Sequence, residues 1–232
     1  TETIRDNGHE VEGILPTLGA ERILAKDLTI KYGSNVVLKS LNATVRAAEI
    51  VALMGRNGAG KSSLLTALVG LQKPDSGTSH ICGKASAELK GKVRRETVGF
   101  IPQEPSDLLY GQSVVGECAQ GDKDNQIAPG TTFALLQRIV PSVSPDTHPQ
   151  DLSEGQRLAL ALAIVLSAQP QVLILDEPTR GLDYQSKALL VGLLRNYSRE
   201  LGRCVLIATH DVELVAELAD RVIFLADGEI VA

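Results

Sequence analysis

I-V-A-L-M at residues 50–54 runs directly into G-R-N-G-A-G-K-S at 55–62, and then into an aliphatic stretch that ends at Val69. The eight central residues match G-x-x-x-x-G-K-[ST] in full, and they stand between an apolar strand and a helix, where that pattern has meaning. Each residue type has a chemical reason. Gly55, Gly58 and Gly60 permit backbone angles and close approach that a side chain forbids, so successive amides can converge on phosphate oxygens. Lys61 sets a mobile cation against the β- and γ-phosphates of a nucleotide, and the Ser62 hydroxyl is a ligand for Mg²⁺. The new helix points its positive end at the same anion. Asn57, Ala59 and Ser63 complete this set of candidate binding residues. Strand, glycine loop and helix in this order are the mark of an α/β fold.

A second site lies further on, in V-L-I-L-D-E at 172–177. Four apolar residues ending in two carboxylates describe a central strand that delivers its acids to the carboxyl edge of the sheet, where ligands bind in such folds. Two acids at a strand end are by themselves usually just solvated. With a phosphate loop in the same chain, Asp176 becomes the group that holds Mg²⁺ through water, and Glu177 the general base that orients the attacking water.

The pattern around these two sites is layered. Residues 23–45 are β-rich, with Leu28, Ile30 and Tyr32 alternating with polar residues before a turn at Gly33-Ser34-Asn35. After the strand that ends at Ile101 the texture changes, with Pro105, Pro129, Pro141, Pro145 and Pro149 and a helical stripe through Phe133, Leu136 and Val140. This stretch is an inserted, mostly helical lobe. Its prolines and the Gly121–Gly130 segment imply weak local packing and easy movement. The α/β rhythm then resumes, with helix 156–168, strand 172–176, helix 184–200, strand 204–208, helix 212–218 and strand 221–226. Residues 158–175 carry no formal charge, but Gln169, Pro170 and Gln171 interrupt them. They read as a buried helix followed by a buried strand, not as a membrane span.

The 232 residues suffice to bury a substantial interior. With four Tyr, three Phe and no Trp, that interior must be aliphatic. A net charge of −5 argues against nucleic acid as the main partner. Cys82, Cys118 and Cys204 show no paired or metal-like spacing, which fits a reducing compartment and small buried side chains. The first twenty residues hold no signal peptide and read as a linker or arm. The chain opens at Thr1 instead of Met, so a piece of a longer protein is expected.

L-S-E-G-Q at 152–156 can be read as a helix start, with Ser153 and Gln156 forming a capping box. Lying shortly before the strand that ends in Asp176, it also resembles the L-S-G-G-Q signature of ABC ATPases. A capped helix start with free Ser153 and Gly155 amides is a good anion site. In that family it grips the γ-phosphate held by the opposite subunit. Other family elements follow in order. Gln103 resembles the glutamine that senses Mg²⁺ and links to the membrane partner, and Gly181-Leu182-Asp183 resembles the loop that crosses the dimer interface. His210 resembles the switch histidine that contacts the γ-phosphate, and Tyr32 the aromatic that stacks on adenine. The resemblance covers about residues 22–231.

It implies a phosphate-loop core, a mostly parallel sheet flanked by helices, with an antiparallel β subdomain and an inserted helical subdomain at about 104–156. The domain runs over 22–232 after an arm at 1–21. Lys61, Glu177 and His210 are the implied catalytic residues. ATP is held by Tyr32, the loop 55–63, Gln103, Ser153, Gly155, Gln156 and Asp183, and Mg²⁺ by Ser62, Gln103 and Asp176. Implied partners are a second ATPase domain, identical, fused or heteromeric, and transmembrane subunits contacted by 104–151, at the cytoplasmic face of the cell membrane. P-T-R-G-L-D-Y at 178–184 and T-H-D-V-E at 209–213 resemble, more narrowly, the ATPases of energy-coupling-factor importers for vitamins and metal ions, as the second half of a fused pair. Glu154 and Arg180 depart from the commoner Gly and Ser of the family. A non-transport ABC ATPase acting in DNA maintenance or on the ribosome is the alternative.

Overall fold

The computed structural model describes residues 19–231. Of the arm expected at 1–21, residues 1–18 lie outside the described residues. Glu21 already opens the first strand, β1 (Glu21–Tyr32), which turns at Gly33 into β2 (Asn35–Arg46). Gly33 has φ 62, the left-handed angle that a tight hairpin turn needs. β4 (Ser76–Ile81) pairs antiparallel with the other edge of β1, and the short β5 (Lys84–Ala85) follows it, giving the order β2-β1-β4-β5.

The second sheet has the order β10-β9-β3-β8-β7-β6. Here β3 is Ile50–Met54, β6 Val98–Ile101, β7 Val172–Asp176, β8 Cys204–Ala208, β9 Arg221–Ala226 and β10 Glu229–Ile230. All neighbours are parallel except the edge pair β9–β10. β7 and β8 are buried along their whole length. That is why their sequences are unbroken aliphatic runs instead of alternating ones: both faces are covered.

Alternate residues serve different layers. Val172 and Ile174 face a core shared with Ile23, Leu28 and Ile30 of β1 and with Leu64, Leu65 and Leu68 of α1 (Lys61–Leu68). α1 is thereby clamped between the two sheets. Leu173 and Leu175 face the opposite layer. That layer is built on α5 (Glu154–Ser167), α6 (Tyr184–Arg199) and α7 (Val212–Leu218). Truncating a fully buried leucine such as Leu173 to alanine costs about 2–5 kcal/mol.

The lobe before α5 corrects the expectation of loose, loop-rich packing. After α2 (Gly91–Thr97) and β6, α3 (Val114–Asn125) and α4 (Thr131–Ile139) pack on α5 around Val114, Cys118, Leu136, Leu152 and Leu160. The inward stripe of α3 is Val114, Cys118, Gly121, Asp122 and Asn125, too polar to show as a hydrophobic pattern. It is buried because its polar groups are satisfied. Asp122 accepts from the amides of Gly130 and Thr132 at 2.6 and 2.8 Å, and the Asn125 amide donates to Ser167 Oγ at 2.9 Å. Gly121 is buried in this packing, where an added Cβ would meet Ile164 and Thr132 at 3.5 Å, an ordinary contact distance, so the glycine does not mark a loose segment.

Among the described residues, no helix is long and apolar enough to cross a membrane. The uncharged stretch 158–175 divides between α5 and β7, with Gln169 at φ 53 between them.

Candidate active site

The loop between β3 and α1 packs tightly where glycine stands. A Cβ on Gly55 would lie 2.3 Å from Leu225 O, and one on Gly60 2.7 Å from Leu38 Cδ2 at a φ of 103. Gly60 is also the N-cap of α1, and it brings no capping side chain. The first turn carries no acidic residue. The positive end of α1 is left to an external anion.

Lys61 is the first residue of that helix, with its side chain only 8% exposed. Its ammonium donates to Gly55 O at 2.8 Å and lies 3.8 Å from Glu177 Oε1, itself 10% exposed. Asp176 ends β7 inside the sheet. Burial pushes its carboxyl up from the ordinary range; a hydrogen bond from Ser62 and the Lys61 charge oppose this, while neighbouring Glu177 adds to it. Glu177 takes a left-handed angle, φ 48, as its amide donates to Ala208 O at 2.8 Å. The turn swings its carboxylate to His210, whose Nδ1 lies 2.7 Å from Oε2. An ionised carboxylate only accepts, so this bond carries its proton on Nδ1.

These groups line one cleft of about 560 Å³ with Tyr32, Val37, Asn57, Gly58, Gly60, Ser62, Ser63, Gln103 and Arg180. That size suits a small-molecule ligand. Tyr32 stands at its rim, half-exposed, its hydroxyl donating to Gln72 at 2.8 Å. Two predicted loop residues have internal roles: Gly55 lies beneath the cleft, and the Ala59 amide donates to Arg56 O. The hydroxyl of Ser62, the carboxylate of Asp176 and the amide oxygen of Gln103 form a hard oxygen set that suits Mg²⁺. Among the described residues no cluster of three His, Cys, Asp or Glu side chains could hold an ion unaided.

Besides Gly55 and Ala59, four predicted residues do not line this cleft. Ser153 and Gln156 form a reciprocal capping box on α5, with Ser153 Oγ accepting from Gln156 N and Gln156 Oε1 from Ser153 N. Asp183 caps α6 through Ser186 N. Gly155 packs so close to α6 that a Cβ would meet Ser186 Oγ at 2.4 Å. Arg180 and Val37, in turn, line the cleft but were not singled out as binding residues. The signal for Arg180 was its place three residues after Glu177; for Val37 there was none, because only the fold carries β2 over the loop.

A parallel sheet with a phosphate loop after β3, acids after β7 and a histidine beyond the intervening β8 defines a phosphate-loop nucleotide triphosphatase. Residues 38–180 match the family described as ABC transporter. The chain is 51% identical over 207 residues to a putative ABC transporter ATP-binding protein of Streptomyces coelicolor, covering 89% of this chain and 37% of that protein. It is 34% identical over 220 residues to the putative HMP/thiamine import ATP-binding protein YkoD of Bacillus subtilis, covering 95% and 40%. The chain thus spans well under half the length of these relatives.

Among solved structures, the dimeric ATP-binding cassette MJ0796 in a post-hydrolysis state bound to ADP and Pi superposes with a TM-score of 0.81 at 26% identity, covering 90% of this chain and 97% of that one. cbiO1 from Clostridium perfringens, part of the ABC transporter complex cbiONQ, gives 0.76 at 30% identity, covering 92% and 88%. The chain belongs to the ABC transporter family, as its ATP-binding ATPase domain.

Proposed function

We propose that this domain hydrolyses Mg²⁺-bound ATP to drive an energy-coupling-factor type importer, with Glu177 as the general base. The observation that carries the reading is a single carboxylate in contact with both Lys61 and His210 inside the phosphate-loop cleft. Lys61 and the amides of the loop bind the β- and γ-phosphates, and Tyr32 receives the adenine. Ser62, Asp176 and Gln103 would hold Mg²⁺, which when bound would supply positive charge to offset that of the phosphate oxygens. Glu177 accepts a proton from water as its oxygen bonds the γ-phosphorus and the bond to the ADP oxygen breaks, releasing ADP and phosphate. His210 holds the Glu177 carboxylate in line and meets the γ-phosphate.

Ser153, Gly155, Gln156 and Asp183 face away from this cleft into a second one, formed with another cassette that is a second copy or the other half of a longer chain. The helical unit within 104–156 joins Gln103 to Ser153, so a change at either nucleotide pulls on it, and it is the surface offered to transmembrane subunits at the cytoplasmic face. Of the vitamin or metal-ion cargoes expected, a relative named for HMP/thiamine import favours a vitamin. Phosphate release by the purified domain, wild type against Glu177→Gln, tests the chemistry; near-normal turnover in the variant rejects the assigned base. ATP-dependent uptake of thiamine precursors by proteoliposomes holding the full-length protein and its membrane subunits tests the cargo.

A further inference from the structure

Three basic side chains border the nucleotide cleft, and they are held differently. Lys61 is buried between Gly55 O and Glu177, and His210 is bonded to Glu177. Arg180 reaches outward instead: its Nη1 donates to Glu104 Oε1 at 3.0 Å, with the two side chains 59% and 56% exposed. Glu104 lies outside the cleft, in a neighbouring cavity of about 280 Å³ that also takes in Glu154 and Leu182. Arg180 lines both cavities. Its partner follows Gln103 directly, while its own amide donates to Glu177 O at 3.2 Å. One exposed ion pair therefore ties the loop after β6 to the turn that carries the general base.

We propose that Arg180 is exchanged between Glu104 and the terminal phosphate of the nucleotide, so that ATP, by taking the guanidinium, frees the Gln103–Glu104 loop. An exposed pair of this kind is screened by water and contributes little, so little opposes its loss. A nucleotide adds several negative charges to a cleft where Lys61 and His210 are already engaged with Glu177, and guanidinium matches phosphate in planar, two-pronged geometry. ADP lacks the terminal group and leaves the pair intact. The exchange makes the loop report which nucleotide is bound, and it rests on the cleft being an ATP site as proposed above.

Equilibrium binding of AMP-PNP and of ADP, each with Mg²⁺, tests it in wild type, Arg180→Gln, Arg180→Lys, Glu104→Gln and the double variant. Both side chains are exposed, so the fold tolerates each change. Arg180→Gln is expected to weaken AMP-PNP binding by about 3- to 10-fold while ADP changes less than about 2-fold, with Arg180→Lys intermediate. Glu104→Gln removes the competitor and is expected to tighten AMP-PNP binding by about 2- to 5-fold, an effect absent from the double variant. A purely structural ion pair predicts that both single variants move binding in the same direction. That result, or equal changes for the two nucleotides, overturns the exchange. A wild-type chain that binds neither nucleotide overturns the ATP-site reading itself.

Discussion

Oε2 of Glu177 lies 2.7 Å from Nδ1 of His210, a contact between residues that leave two neighbouring parallel strands. The Glu177 amide extends the β7–β8 ladder by one rung, to Ala208 O, and its left-handed φ of 48 then turns the side chain across to β8. The other carboxylate oxygen faces Lys61, so one side chain links the phosphate loop to the histidine turn.

Lys61 and Glu177 are expected to fail differently. Lys61→Ala removes a buried cation at the phosphates and should weaken AMP-PNP binding by about 10- to 100-fold, the loss of a charged hydrogen bond. Glu177→Gln keeps shape but not basicity, so binding should stay within a few-fold while phosphate release falls by about 10²–10⁴. Nucleotide titration and steady-state phosphate assays on the same preparations separate the two.

His210→Ala takes away the partner that holds Glu177. Phosphate release should drop by about 10- to 100-fold as the carboxylate loses a charged hydrogen bond, with ADP affinity almost unchanged. Loss of ADP binding of the same size would instead assign His210 to nucleotide affinity.

Asp122 is expected to matter for stability, not catalysis. Burial raises its carboxyl, but hydrogen bonds from Thr132 and Gly130 outweigh this and hold it below the usual carboxylate range. Asp122→Ala leaves two amides without their acceptor and should cost about 2–4 kcal/mol at neutral pH. Because the folded pKa is depressed, this stabilisation is complete above the unfolded value of about 3.9 and disappears as pH falls through the lower folded value. Thermal melts should show a gap between wild type and variant that is full at pH 6 and narrows below about pH 4.

Ser153 and Asp183 lie outside the cleft that holds Lys61, and the proposed function assigns them to a second cleft formed with another cassette. The domain should sediment as a monomer without nucleotide, and Glu177→Gln should form a dimer with Mg²⁺ and ATP. A dimer equally strong without ATP would contradict nucleotide-dependent pairing.

Much of this was legible in the linear chain because its causes are local. A phosphate cradle is made of consecutive backbone amides, so Gly55 to Ser62 announce it without any tertiary contact. The strands at 50–54, 172–176 and 204–208 fall where the aliphatic runs lie, since burial on both faces leaves no polar residue to blur them, while 221–226 is legible as an apolar run although one of its faces is exposed. Capping is equally local: Ser153 and Gln156 meet because they are three residues apart on a helix start. The packing of α3 was hidden, because hydrogen bonds from Asp122 and Asn125 rather than apolar surface satisfy its inner face.

Residue types and their order along the chain thus determined which side chains can bind phosphate, hold a metal or take a proton. Which of them meet was decided by the sheet. With β8 set between β3 and β7, Asp176 stands opposite Ala208 and Ala208 opposite Leu53, and the turns after the three strands open on one edge. Lys61, Glu177 and His210 are far apart in sequence and converge only there, and Arg180 finds Glu104 only because β6 lies beside β7. No local pattern encodes such meetings, because strand order follows from how the whole chain buries its two apolar layers.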